Sequence, residues 1–124
     1  MKFLLDTNFF MIPGKFKVDV FSELGKFGRP ELYTLTSVVK ELEKLSKTGT
    51  DKGNAKLGLE LLKKNRVEIL VTDDYDADSG IERVAVEEDF VVCTQDKELI
   101  KRLKKEEIRV ISLRQKKYLE FWTG

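Results

Sequence analysis

The chain has 124 residues, 41% hydrophobic and 36% charged, with 23 Lys plus Arg against 22 Asp plus Glu, one Cys and no His. That length fits one compact domain over residues 1–124 rather than two cores. The absence of His excludes Ser-His-Asp and Cys-His sites, imidazole acid/base pairs and His-ligated zinc or iron, so any chemistry falls to carboxylates, hydroxyls, Lys or a metal ion.

In chain order, residues 3–5 read as a short buried strand, and Phe16, Val20, Leu24 and Phe27 then recur at helical spacing until Gly28-Arg29-Pro30 breaks the pattern. Residues 31–35 form a second strand. Thr36 or Ser37 is placed to cap a helix striped by Val38, Leu42 and Leu45, residues 46–54 read as a polar loop, and a further helix carries Leu59 and Leu62. Residues 67–71 make a third strand, followed by an acidic turn and a helix with Ile81, Val84 and Ala85 on one face. Residues 90–93 are a fourth strand, Leu99, Ile100 and Leu103 mark a helix, residues 108–111 a last strand, and residues 116–122 a terminal helix. Short strands without alternation, spaced by helices, predict an α/β fold with a mainly parallel sheet covered on both faces.

Cys93 has no partner for an internal disulfide, and the N-terminus lacks the basic, apolar and small-residue order of a leader. No apolar run approaches the roughly 18 residues that span a bilayer. A cytoplasmic protein with no membrane association is expected.

The near-zero net charge hides a segregation. Residues 73–89 hold eight acids and one base, Arg83, whereas residues 101–117 hold eight bases and only Glu106 and Glu107 as acids. Each run is compatible with a solvated helix face, and the pair is also compatible with two oppositely charged working surfaces.

Asp6 follows the first strand, Asp96 follows the fourth, and Asp78 opens the helix before it. Ligands of open parallel sheets bind at the carboxyl ends of the strands, which is where Asp6 and Asp96 fall; each also fits a helix N-cap. Glu41 lies about 60° from the centre of its helix's apolar stripe, and Glu43 about 140° away, so Glu41 is expected near the core edge. There a carboxylate is costly unless paired or bound to metal. Asp78 shares the inward face of Ile81, while Asp73, Asp74 and Asp76 belong to the preceding turn, with Asp76 the alternative if the register slips. Oxygen ligands without His or Cys suit Mg2+ or Mn2+, and a divalent ion among carboxylates suits phosphodiester hydrolysis. Lys97, Lys101 and Arg102 are placed to hold flanking phosphates.

Leu4-Leu5-Asp6-Thr7-Asn8, Glu41 in its helix, Asp78 followed by Ile81 and Ala85, and Val92-Cys93-Thr94-Gln95-Asp96 followed by Leu99 together resemble the PIN-domain family of metal-dependent ribonucleases. The resemblance spans nearly the whole chain in the family's order. It implies a three-layer α/β/α sandwich and an acidic pocket holding Mg2+ or Mn2+, with Asp6 and Asp96 as ligands and Asp78 and Glu41 completing it directly or through water. Thr7, Asn8 and Thr94 match its supporting polar positions. The family usually has an acidic pair at the third position; this chain has Asp78-Ser79. The implied activity is endonucleolytic cleavage of single-stranded RNA. The role is either a VapC-like toxin of a type II toxin-antitoxin system, with an antitoxin protein as partner, or the archaeal ribosomal-RNA processing branch that residues 8–14 and 112–119 resemble. The alternative is an RNA-binding or assembly protein that keeps the fold without the catalysis. Phe9, Phe10, Met11, Tyr118, Phe121 and Trp122 are read first as packing residues, and otherwise as base-stacking groups or the surface of a homodimer.

Overall fold

The computed structural model describes residues 1–73 and 76–123; Asp74, in the predicted acidic turn, lies outside them. Its sheet has six strands: β1 (Lys2–Leu5), β2 (Glu31–Leu35), β3 (Glu68–Leu70), β4 (Val91–Cys93), β5 (Val110–Arg114) and β6 (Tyr118–Phe121). They lie in the order β3-β2-β1-β4-β5-β6, with the first five mutually parallel and β6 antiparallel to β5. The six helices that flank this sheet complete a three-layer α/β/α fold: α1 (Thr7–Phe16), α2 (Val20–Leu24), α3 (Thr36–Leu45), α4 (Lys52–Lys64), α5 (Ala77–Glu87) and α6 (Lys97–Lys105).

The core strands carry no exposed face. Phe3, Leu4 and Leu5 of β1 and Val91, Val92 and Cys93 of β4 are all buried, as expected where helices cover both sides of a parallel sheet. From β1 the chain builds outward through β2 and β3, then returns to the other side of β1 as β4. This reversal opens a crevice past the carboxyl ends of β1 and β4. Leu5 pairs with Cys93, and the Asp6 amide donates to the Cys93 carbonyl at 3.1 Å, so Asp6 and Thr94 leave the sheet side by side.

Four expectations need correction. Residues 7–16 form helix α1, although no helix is read there: Pro13 and Gly14 look like breakers, and Phe9 to Ile12 is buried throughout, leaving no amphipathic period. Neither Thr36 nor Ser37 caps α3. Leu35 holds the cap position, and Thr36 Oγ1 instead donates to the Thr72 carbonyl (2.9 Å) and accepts from the Thr72 amide (3.1 Å), fastening the segment after β3. The last parallel strand starts at Val110 because Ile108 still belongs to the end of α6, its amide donating to the Leu103 carbonyl at 3.0 Å beside Glu107 at φ 59°.

The predicted terminal helix is the strand β6. Gln115 and Lys116 both take positive φ (53° and 56°), and the Lys117 amide donates to the Arg114 carbonyl at 3.0 Å. Two successive positive-φ residues make a tight hairpin turn suited to strand twist, and Leu119 is thereby set opposite Leu113.

Candidate active site

Asp6, Glu41, Asp78 and Asp96 come from four separate places in the chain and line one open pocket of about 300 Å³. Asp6 is the most enclosed, 2% exposed. It caps α1, with Oδ1 accepting from the Thr7 amide at 2.8 Å and Oδ2 from Thr94 Oγ1 at 2.7 Å. Burial holds its carboxyl above the usual carboxylate range, against the lowering effect of those two bonds, and the charges of Glu41 and Asp96 add to the rise.

Asp96 caps α6. Its Oδ1 takes both cap bonds, from the Glu98 amide (3.0 Å) and the Leu99 amide (3.2 Å), so the other oxygen is outside the cap. For Asp6 and Asp96 the capping and pocket-lining readings therefore both hold. Thr94 joins the two acids: while its hydroxyl hydrogen goes to Asp6, its oxygen accepts from the Asp96 amide at 3.1 Å. Asn8 braces the same loop, its Oδ1 accepting from the Gln95 amide at 2.9 Å, and Gln95 Oε1 in turn accepts from the Leu113 amide at 2.6 Å. Thr94 thus bonds a carboxylate, as one expectation had it, whereas Asn8 bonds the loop backbone instead. Thr7 Oγ1 is buried on the pocket wall with no hydrogen-bond partner among the described residues.

Asp78 lies in the first turn of α5, and the helix cap is Asp76, whose Oδ1 accepts from the Ser79 amide at 2.8 Å. The Asp78 carboxyl is pushed up to about 6 by desolvation, by the charges of Asp6 and Asp96, and by a hydrogen bond with Asp96; Arg102 acts the other way. Asp76 sits instead in a neighbouring cavity with Asp73, Lys40 and Lys44 that shares only Glu41 with the acidic pocket. Glu41 is exposed at the pocket mouth, not at the core edge, because Val38 and Leu42 alone turn fully inward.

Two pocket residues carried no signal in the sequence. Lys15, in the last turn of α1, and Asp51, just before α4, meet across 3.7 Å on the pocket wall. The expected phosphate-holding residues separate. Arg102 reaches back to the acids, with Nε 3.3 Å from Glu82 and Nη2 3.9 Å from Asp78, whereas Lys97 and Lys101 line another groove along α6.

The donor set fits a hard divalent cation. All four acids offer oxygen, the neighbouring acids raise the proton affinity of Asp6 and of Asp78, and among the described residues the buried Thr7 hydroxyl lacks a partner. Among the described residues no group of three acids is gathered closely enough to hold a metal ion by itself. Mg2+ tolerates this, since it keeps several waters and is commonly held by one or two carboxylates.

Residues 3–116 match the family described as PIN like domain. Ribonuclease VapC4 of Methanocaldococcus jannaschii is 35% identical over 98% of this chain and 96% of its own length, and ribonuclease VapC9 of Archaeoglobus fulgidus is 33% identical over 92% and 84%. Among solved structures, the PIN domain endonuclease Utp24 superposes with a TM-score of 0.82 at 25% identity, covering 97% of this chain and 90% of that one. A domain of a functionally unknown protein from M. jannaschii aligns at 0.62 and 19% identity over 91% of each chain, a likeness of fold alone.

Proposed function

The chain belongs to the PIN-like domain family, and on that premise we propose that it is an endoribonuclease that hydrolyses single-stranded RNA with Mg2+ or Mn2+. One observation carries this reading: four carboxylates from distant segments converge on a single pocket at the carboxyl ends of β1 and β4. The relatives named ribonucleases and the likeness to an endonuclease support it.

In this reading Asp6 and Asp96 hold the cation, and Asp78 and Glu41 complete its surroundings directly or through water. When bound, the ion supplies a water of lowered pKa and charge stabilisation on the phosphate. The chain's own residues set the rest. Thr94 fixes the spacing of Asp6 and Asp96 through one hydroxyl, and Asn8 holds the backbone at Gln95. Lys15 stands at the pocket wall as a cation for a substrate phosphate, with Asp51 orienting it. Arg102 pairs with Asp78 and Glu82.

The biological role we favour is that of a toxin silenced by an antitoxin chain, since both ribonuclease relatives carry VapC names and match nearly end to end. Purified protein is expected to cut a single-stranded RNA with Mg2+ or Mn2+, to stop with EDTA, and to lose about a hundredfold or more of that rate as Asp6→Asn or Asp96→Asn. Equal rates for wild type and both variants would sink the catalytic assignment. Growth arrest on expression, absent from Asp6→Asn and relieved by the product of an adjacent gene, tests the toxin role; its absence in an active enzyme favours RNA processing.

A further inference from the structure

Apart from Arg102, the basic residues of α6 are not spent on the acidic pocket. Lys97, Lys101, Lys104 and Lys105, with Ile100 and Trp122, line a separate cavity of about 390 Å³ along the outer side of α6. At 100° per residue the four lysines fall within about 100° of one another, so they share one helix face, and among the described residues none of them is in an ion pair. Trp122 is half-buried just past β6, and its amide donates to the Val110 carbonyl at 2.7 Å, which fixes the residue at the groove.

A row of unpaired cations beside an aromatic face is the chemistry of single-strand nucleic-acid binding: lysines take successive phosphates and the ring stacks a base without reading its identity. A protein partner would need an acidic apolar helix to match this surface, but four lysines around one indole favour a polyanion that carries π faces. The row also has a direction. Lys97 follows Asp96 directly, and Lys105 lies about 12 Å further along the helix.

We propose that this groove is a secondary RNA subsite, in which Trp122 stacks a base and Lys101, Lys104 and Lys105 hold the phosphates of the strand leaving the acidic pocket. It rests on the ribonuclease reading for the class of its ligand. The subsite sets substrate length: a strand that reaches Trp122 is held, and a shorter one is not.

Trp122 is the only tryptophan in the chain, so its fluorescence reports the groove directly. With EDTA present to prevent cleavage, titration with a twelve-nucleotide oligouridylate is expected to give a saturable change in emission. Lys104→Ala with Lys105→Ala should weaken binding about tenfold at low salt and reduce the slope of log affinity against log salt by about 0.7 per lysine. Trp122→Phe, which retains an aromatic ring in the packing, should weaken binding of labelled RNA by about fivefold or more. Unmoved Trp122 emission at saturating RNA would overturn the subsite, and so would an equal change with inorganic polyphosphate, which has no base to stack. RNA cleavage with Mg2+ or Mn2+ that is unaffected by these variants at every substrate length would also overturn it and leave the nuclease reading intact. A normal Trp122 response in a protein that never cuts RNA would support the groove and reject the nuclease.

Discussion

Thr94 is the residue on which the pocket's geometry turns. Its hydroxyl has one hydrogen, and this goes to Asp6 at 2.7 Å while the oxygen accepts from the Asp96 amide, so one side chain spans both capping acids. Thr94→Val keeps the shape and removes both bonds. Asp6 is then a buried carboxylate with only the Thr7 amide, and a buried polar group stripped of a partner costs about 1–3 kcal/mol. Urea unfolding should show a loss in that range for Thr94→Val and a clearly smaller one for Thr94→Ser, which keeps the hydroxyl; equal losses would mean that packing, not the bond, matters there. Residues of this kind differ in how visible they are in sequence. Asp6 and Asp96 are legible because each directly follows an apolar strand. The depth of Glu41 is not legible, since a helical angle gives direction but not how far the neighbouring elements extend over it. Lys15 and Asp51 were invisible: only the packing of α1 and α4 brings them together.

That packing is tight at one point. Gly58 in α4 faces the backbone of α1, where an added Cβ would stand 2.8 Å from the Phe10 carbonyl oxygen. Alanine in place of a mid-helix glycine ordinarily gains about 1 kcal/mol of helix propensity. Here the methyl meets backbone, which has no rotamer to move, and overpacking costs about 1–3 kcal/mol. Gly58→Ala is therefore expected to be net destabilising in urea, in contrast to the exposed Gly53→Ala in the same helix, which has open space around it; a stabilised Gly58→Ala would show that the two helices separate easily. Elements as well as residues vary in legibility. The parallel strands were readable because burial on both faces makes them uniformly apolar. Helix α1 hid for the same reason, since burial on nearly every side erased its period. Strand β6 hid because its turn, Gln115-Lys116, takes positive φ without the Gly or Asn that normally signals such a turn.

Across the whole molecule, a balanced net charge of +1 conceals a concentration of like charge that must act on stability. Asp78 ionises at about 6 in the folded chain against 3.8 as an ordinary carboxyl, and Asp6 is shifted the same way. Between those two values the folded state binds more protons than the unfolded one, so stability falls as pH rises through that window. Asp19 and Glu23 have lowered values, held by Ser22 and by Lys26 with the Leu119 amide, and they withdraw stability only as pH drops toward and below 4. In EDTA the melting temperature should thus decline by a few degrees from about pH 4.5 to pH 7, and Asp78→Asn, which has no charge to place beside Asp6 and Asp96, should flatten the decline and melt higher at pH 7. Adding Mn2+ at pH 7 should reverse the wild-type loss, by about 2.7 kcal/mol at a hundred times the dissociation constant, with a much smaller gain at pH 5, where Asp78 holds its proton. A melting temperature that climbs from pH 4.5 to pH 7 in EDTA, or an Asp78→Asn protein with the wild-type slope, would show that the acids do not repel one another in the folded chain and would remove the electrostatic argument for a cation among them.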